Sequence, residues 1–526
     1  MFVPFRFCAR LGVRLRFPLH FRLRFPLRVL PPAPPLPRVR LGAGLALALA
    51  CAACTVGPDY HRPTVAMPAN FKEAATLDGW RTLHPDAQAA LKDKWWTLYN
   101  DPELNTLCEA ALVANQNIAT YAAAYRSARA LVAYDRASLF PTVSLGATAT
   151  RSNYGSSSLS DSTTTTTTSS TTSYSSKRVG LEPEATWEPD LWGKVRRSVE
   201  SGRASAQSSD AELAGERLSI LGTLAVDYFT VRQADADLAV LADERLVDAE
   251  LLTLSEAQFK EGVATYDDVR SAHNTLQTLD ETIATAKITR RQYEHAIAVL
   301  IGQPPAAFSL PARTDYAFAL PALPKTLPSS LLERRPDVVE AERNMAAYNA
   351  KIGVAKAGYY PTLSLTAEGG WSGTALASLI SLPTRFWSLG LSASQTLFDG
   401  GATSASVRQA EANYDQYVAT YRQAVLTALQ DVEDDMTAVS VNGEQTAASQ
   451  GVVQRSQELY DSEQRQFDQG TVTRIAVLDT RLTALADRKI WLDYQGATLQ
   501  NSVLLIKALG GGWNGDVTLV DETGKR

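Results

Sequence analysis

The residues best equipped for chemistry lie near the start of the chain. Cys54 follows an apolar run, Leu41 to Ala53, rich in Leu and Ala and preceded by Arg38-Val-Arg40. A basic segment, a short apolar stretch and small residues before a cut read as a secretory signal. A thiol at the first position after the cut is a substrate for lipid acylation. The run is too short to be a spanning helix. Cys51, with Ala50 before it, is the rival acylation site. Cys8 falls in the leader, which leaves Cys108 as the sole cysteine of the body and excludes a disulfide framework or a cysteine metal site.

The other reactive residue types form no constellation. The five histidines, His20, His61, His84, His273 and His295, show no metal-ligand spacing. The sequence has no Gly-x-Ser-x-Gly, no phosphate-binding loop and no dinucleotide fingerprint. The expectation is a protein that is not an enzyme, with no metal and no cofactor, whose energy comes from a partner. Charge excludes another class. Residues 1–53 carry nine arginines and no carboxylate, and the remainder has 42 basic residues against 56 acidic ones. A body with a net charge of −14 is a poor binder of nucleic acid, which needs clustered Lys and Arg.

The elements that position these residues are set out by an internal duplication. Phe140-Pro-Thr-Val-Ser-Leu145 reappears as Tyr360-Pro-Thr-Leu-Ser-Leu365. Trp187-Glu-Pro-Asp-Leu-Trp-Gly193 is answered by Leu397-Phe-Asp-Gly-Gly401, Phe259-Lys-Glu-Gly-Val263 by Phe467-Asp-Gln-Gly-Thr471, and Leu300-Ile-Gly302 by Ala508-Leu-Gly510. Asp190 to Gly262 is 72 residues and Asp399 to Gly470 is 71; the next interval, to Gly302 or Gly510, is 40 in both halves. Only the interval from Pro141 to Asp190 exceeds its counterpart, and the excess falls in a Ser/Thr tract, Ser156 to Ser176, expected to be an extracellular loop.

Each half reads as helix, strand, loop, strand, long helix, tip, helix. Helices are expected from about Pro102 to Ser138 and from Pro336 to Gly358, each stopped at an aromatic-Pro pair. Four strands follow by period-two alternation. Val143, Leu145, Ala147 and Ala149 alternate with Ser, Gly and Thr. Val179, Leu181, Pro183, Ala185 and Trp187 alternate with Gly180, Glu182, Glu184 and Thr186. Leu363, Leu365 and Ala367 alternate with Ser364, Thr366 and Glu368, and Trp387, Leu389, Leu391 and Ala393 with Ser388, Gly390, Ser392 and Ser394. Segments of this length suit tilted membrane strands, with Trp187, Trp371, Phe386 and Trp387 as an interfacial aromatic girdle. Gly193 to Phe259 and Thr403 to Phe467 are rich in helix formers and lack proline. In the first, Leu213, Leu218, Leu221, Leu224, Tyr228 and Val231 supply a near-heptad seam. Trp95-Trp96 is expected to pack rather than to bind a ligand.

Four strands cannot close a barrel, and open edges leave unpaired backbone groups in lipid. Copies must therefore share a barrel, and three copies give twelve strands and a lumen. The resemblance that completes this reading rests on Cys54-Thr-Val-Gly-Pro-Asp-Tyr60, Trp95-Trp-Thr-Leu-Tyr-Asn-Asp-Pro-Glu-Leu104, the two aromatic-Pro-Thr strand starts, Leu397-Phe-Asp-Gly400 and the Gly-bearing tips. The whole mature chain resembles the TolC-type outer-membrane factor family, in the lipoprotein (NodT/OprM-like) branch that serves resistance-nodulation-division (RND) efflux pumps. It implies a mainly α fold with membrane β, a homotrimer with four strands per chain in a shared 12-stranded β-barrel, and a long periplasmic α-helical barrel. It implies an outer-membrane location, with lipid as one partner and a periplasmic adaptor (membrane fusion) protein and an inner-membrane RND transporter as the others. It also favours Cys54 over Cys51 for acylation.

The resemblance further implies adaptor docking at the tips Gly262, Val263, Ala264, Thr265 and Gly470, Thr471, Val472, Thr473. A periplasmic gate is implied at Asp479, where Arg474 or Arg481 is expected to form ion pairs with Asp479 between helices. Ala476 stands where some members carry a second Asp. Asp267 and Asp268 are the first-half candidates.

The expected organisation is a leader and lipoprotein signal over 1–53 and a lipidated, equatorial segment over 54–101. Repeat one covers 102–310, with a strand hairpin at 141–190 and a tip near 262. A linker covers 311–335, repeat two covers 336–512 with a hairpin at 361–399 and a tip near 470, and a tail covers 513–526. Residues 1–37 fit no signal peptide, and the true start is expected downstream, near Val29 or Val39. The function expected is a passive exit duct for small toxic compounds. The alternatives are the duct of an ATP-driven (type I) secretion system and, in another class, a structural periplasmic coiled-coil lipoprotein.

Overall fold

The computed structural model describes residues 55–73, 94–155, 173–321 and 335–513. The leader, Cys51, Cys54 and the tail beyond residue 513 lie outside the described residues. The elements run α1 (Pro102–Ala114), α2 (Gln116–Ala137), β1 (Thr142–Gly155), β2 (Ser173–Trp187), α3 (Lys194–Lys260) and α4 (Tyr266–Leu300). The second half gives α5 (Pro336–Lys356), β3 (Thr362–Gly373), β4 (Arg385–Ser394), α6 (Ala402–Asp468) and α7 (Arg474–Ala508). The duplication is exact in helix length: α3 and α6 each have 67 residues, and α4 and α7 each have 35. At 1.5 Å per residue the long pair reach about 100 Å.

The expected single helix from Pro102 to Ser138 is two helices. Asn115 leaves the helical region at ψ 127° and its side chain accepts from the amides of Asn117 and Ile118. Its amide nitrogen also donates to Leu300 O at 2.8 Å, so the break is held by the end of α4. A short polar side chain that caps a new helix competes successfully with continuation of the old one.

The four strands form one antiparallel sheet in the order β1-β2-β3-β4, so β1 and β4 are both open edges. Pairing of β1 with β2 runs from Thr142↔Thr186 to Gly155↔Ser173. The last residues of the Ser/Thr tract, Ser173 to Ser176, are therefore strand and not loop; residues 156–172 lie outside the described residues. Directly opposed residues share a face, and the register carries the alternation across the whole sheet. One expected girdle residue changes face. Phe386 pairs with Gly370, within the Ser, Thr and Gly set, while its neighbour Trp387 pairs with Gly369 on the apolar face.

Helix packing centres on α3, which contacts α2, α4, α5 and α7, while α6 packs on α5 and α7. The seam residues Leu213, Leu218, Leu221, Leu224, Tyr228 and Val231 are all buried. The main core joins them to Trp95, Trp96, Leu104, Cys108, Ile297, Met436 and Val503. Trp95 and Trp96 are wholly interior, packed edge to face at 6.1 Å. Burial pushes the Cys108 thiol well above its ordinary range, which leaves it a small apolar filler.

Residues 55–60 close over the strand–helix junctions. Val56 N donates to Trp192 O at 3.1 Å. A Cβ at Gly57 would sit 2.4 Å from Gly353 Cα, and one at Gly353 would sit 2.8 Å from Val56 O. Two glycines are needed where these backbones cross.

Candidate functional site

The first functional surface is the sheet. Its apolar face is open: Val143, Leu145, Trp387, Leu389 and Leu391 are each about two-thirds exposed or more. A contiguous strip of this kind needs an apolar partner phase. The opposite face carries Thr, Ser and Gly together with Glu182, Glu184 and Glu368. Glu184 lies directly across from Glu368. Like charges in that position repel unless water solvates them, so this face belongs to an aqueous lumen. Their local partners are modest: Arg178 reaches Glu182 at 3.4 Å, and the Thr186 hydroxyl donates to Glu184 at 3.2 Å. At the helix end of the sheet, Trp187 Nε1 donates to Leu139 O at 3.0 Å and Trp192 Nε1 to Pro361 O at 2.7 Å. The Trp192 ring stacks on Tyr360 at 4.9 Å. An aromatic band of this kind suits a membrane–water boundary.

The second surface is the pair of tips. Gly262 has φ +69° and Gly470 φ +73°. Val263 N donates to Gln258 O at 2.9 Å and Thr471 N to Gln466 O at 3.0 Å, the bonds that close a left-handed helix end. A Cβ would meet nothing within 4 Å at either glycine, so the turn and not crowding requires glycine there. Thr265 and Thr473 then cap α4 and α7. Only the first tip has a reciprocal capping box: Asp268 N donates to the Thr265 hydroxyl oxygen, and Thr265 N donates to Asp268 Oδ2 at 2.8 Å. The Thr265 hydroxyl, which donates to Asp268 Oδ2 at 2.7 Å, and then the Thr265 amide hold the Asp268 carboxyl below its usual range. In the second tip Ala476 occupies the equivalent position. Asp268 is thus a capping residue, and Asp267 is exposed beside it. Val263 and Tyr266 project at the first tip, exposed and apolar.

The third surface is the start of α7. Arg474 does not pair with Asp479. Its guanidinium makes two bonds to Glu250 of α3, at 2.6 and 3.0 Å, and a third to Gln464 at 3.1 Å. Arg481 lies 3.9 Å from Asp243, also on α3, with a weak bond to Gln457. Asp479 is exposed and forms no ion pair among the described residues. Helix geometry explains why these residues do not meet within one copy of α7. At 100° per residue, Arg474 and Arg481 point about 140° and 160° away from Asp479. Both arginines therefore tie α7 to α3, and so join the first helical hairpin to the second. Glu250 and Asp243 were not legible as site residues: they lie more than 200 residues upstream, on a helix with many other carboxylates.

A fourth feature sits where α3, α5, α6 and α7 meet. A cavity of about 660 Å³ is lined by Glu212, Asp337, Glu340, Asp431, Asp434 and Asp435, around Arg335 and Lys507. Arg335 bonds Asp337 at 2.6 Å and Asp431 at 3.0 Å. Burial, then Glu212 and Asp337, pushes Glu340 up to about 7. Burial, then Asp431 and Asp434, pushes Asp435 up to about 6. A carboxyl raised in the folded state binds its proton more tightly there than in the unfolded chain, so stability is gained as pH falls through the folded value. The gain stops near the unfolded values, at about 4. The melting temperature is therefore expected to rise between pH 7.5 and about pH 5, with Asp227 and Asp237, also raised to about 6 by burial, contributing. Glu340→Gln should flatten the upper part of that rise. A melting temperature that is level or falling over this range, by circular dichroism in detergent, would contradict it.

Comparison with known proteins places this geometry. A family model described as outer membrane efflux protein matches residues 107–303 and 327–511. The chain is 30% identical over 465 residues to the solvent efflux pump outer membrane protein SrpC of Pseudomonas putida, covering 88% of this chain and 96% of that protein. It is 28% identical over 429 residues to the pyoverdine export outer membrane protein OpmQ of Pseudomonas aeruginosa, covering 80% and 88%. Among solved structures, the outer-membrane channel OprN matches with a TM-score of 0.76 at 28% identity, over 88% of this chain and 100% of that one. The open state of the Neisseria gonorrhoeae MtrE outer membrane channel matches with a TM-score of 0.73 at 24% identity, over 89% and 100%, a likeness of fold alone.

Proposed function

This chain belongs to the outer membrane efflux protein family, and we propose that it is the exit duct of a tripartite pump, a passive channel that carries small toxic compounds or drugs across the outer membrane. The observation that carries the reading is the sheet. It has two open edges, one face for lipid and one for water, and helices of about 100 Å attached below it. A sheet of this kind is incomplete in one copy, and three copies supply twelve strands. Relatives named for solvent and pyoverdine export support a small-molecule cargo. The chain performs no catalysis in this reading; the driving force belongs to an inner-membrane RND transporter, reached through a periplasmic adaptor. The docking surface is assigned to the two tips, Gly262 to Thr265 and Gly470 to Thr473, where Val263 and the capping threonines are exposed. Cys54 is assigned as the acylated residue.

The gate is assigned to the start of α7. Asp479, exposed and without an ion pair among the described residues, supplies an acidic ring under threefold symmetry. Arg474 and Arg481 act through α3. A half-exposed pair such as Arg474–Glu250 is worth about 0.5 kcal/mol, but three copies acting on one two-state gate shift its open population by roughly tenfold. Glu250→Gln is therefore expected to raise the open probability in planar bilayers by about that factor with little change in melting temperature. Unchanged gating would remove the latch. The test of the duct itself is mass and single-channel conductance of the detergent-purified protein: a monomer that conducts no current would overturn it.

A further inference from the structure

We propose that the cleft between α2, α3 and α5, just below the sheet, binds the phosphate of an anionic phospholipid headgroup from the periplasmic leaflet. The cleft has a volume of about 550 Å³ and is lined by Arg136, Arg196, Arg203 and Arg343, with Tyr60 and Glu200. Two of the arginines are walls. Arg196 is held by Asp190 at 3.3 Å, and Arg343 by Glu342 and by Gln207 at 3.3 Å, with its guanidinium 5.8 Å from the Tyr60 ring. The other two are arms. Arg136, in the last turn of α2, and Arg203, on α3, are exposed and form no ion pair among the described residues. Two unneutralised guanidinium groups over one cleft favour an oxyanion that takes paired N–H donors, which is the geometry of a phosphate.

Depth favours a lipid as the source. Arg136 is one helical turn, about 6 Å, from Phe140 at the start of the strand hairpin, and Arg196 is a similar distance into α3 below Trp192. The headgroup layer is about 5–7 Å thick on each side of the hydrocarbon core, so both side chains reach it, and long arginine stems extend that reach. Leu139 lines the cleft and accepts from Trp187 Nε1 at 3.0 Å, which links the cleft to the aromatic band. The lateral position rests on the acylation assigned above. An acyl chain must enter lipid outside the barrel wall, so the segment that follows Cys54 lies on the outer side, and Tyr60 of that segment lines the cleft. Basic clefts at this level are the usual recognition surface for anionic lipid.

The experiment is native mass spectrometry of the full-length assembly, stripped of lipid in detergent and then given phosphatidylglycerol or phosphatidylcholine at equal concentration. Retention of phosphatidylglycerol over phosphatidylcholine is expected, and Arg136→Gln with Arg203→Gln should lower that retention about tenfold or more. Arg136→Lys with Arg203→Lys should restore part of it. Both positions are exposed, so assembly mass and helicity should be unchanged and serve as controls. Equal retention of the two lipids, or no loss in the glutamine variant, overturns the proposal. Millimolar inorganic phosphate separates the sources: phosphate that binds through the same arginines while phosphatidylglycerol does not bind overturns the lipid assignment. The acyl mass on Cys54 is read in the same spectra, so failure of the acylation reading is seen independently of the cleft.

Discussion

Replacing Arg232 with alanine is expected to cost about 3–5 kcal/mol, the usual penalty for leaving a buried charge unpaired. Arg232 is completely buried on α3. Its guanidinium bonds Glu103 at 2.6 Å, Asp235 at 3.0 Å and Pro311 O at 2.7 Å, and stands 4.8 Å from the Tyr228 ring centre. Asp235 in turn holds Arg290 of α4 at 2.5 Å, and the Tyr228 hydroxyl donates to Asp101 at 2.7 Å. One side chain thus joins α1, α3, α4 and the segment after α4. Removing it leaves half of the buried Asp235 carboxylate without its partner and leaves the partly exposed Glu103 with only Arg313, at 3.9 Å, as an ion partner among the described residues. Arg232→Lys keeps the charge but loses the fork that serves three acceptors at once, and should recover only part of the loss. The measurement is loss of helical signal with temperature in detergent. An alanine variant that melts with the parent would show that Arg290 and Arg313 neutralise the site without Arg232.

Trp95→Ala should be comparably damaging, at about 3–5 kcal/mol. Trp95 has no exposed surface and packs edge to face against Trp96 and, at 6.3 Å, Tyr99. Tyr99 closes the same core through a 2.7 Å bond to Ser502 of α7. The loss is therefore one of packing between the segment before α1 and the end of the last helix. The indole nitrogens of Trp95 and Trp96 find no hydrogen-bond partner among the described residues. Trp95→Phe, which keeps a ring and discards an unsatisfied donor, should cost less than half as much. If phenylalanine proves as damaging as alanine, the indole nitrogen has a bonding role and the packing account fails. A ligand-platform role for this pair is incompatible with its complete burial.

Glycine, proline and alternation made most of the architecture legible. Gly262 and Gly470 mark helix tips because only a residue without Cβ turns there at low strain, and the aromatic-Pro pairs stop α2 and α5 because proline cannot extend a helix. These are one-residue signals that need no knowledge of distant neighbours. The same holds for the two faces of the sheet, since side chains alternate whatever the register. Asn115 was not legible as a break: asparagine is a capping residue type, but whether it interrupts a helix depends on Leu300, 185 residues away, accepting its amide.

What the sequence by itself determined is the order of strands, long helices and tips, their duplication and the incompleteness of four strands as a membrane barrel, all of which follow from local sterics and from the cost of unpaired backbone in lipid. What only the tertiary structure decided is which charges meet. Arg474 chose Glu250 over Asp479, Arg232 gathered Glu103 and Asp235, and Arg136 and Arg203 were left facing one cleft. Ion pairing depends on distance and direction in space, and a chain with a charged residue in every few positions offers many partners of equal standing until helix packing fixes which few lie within reach.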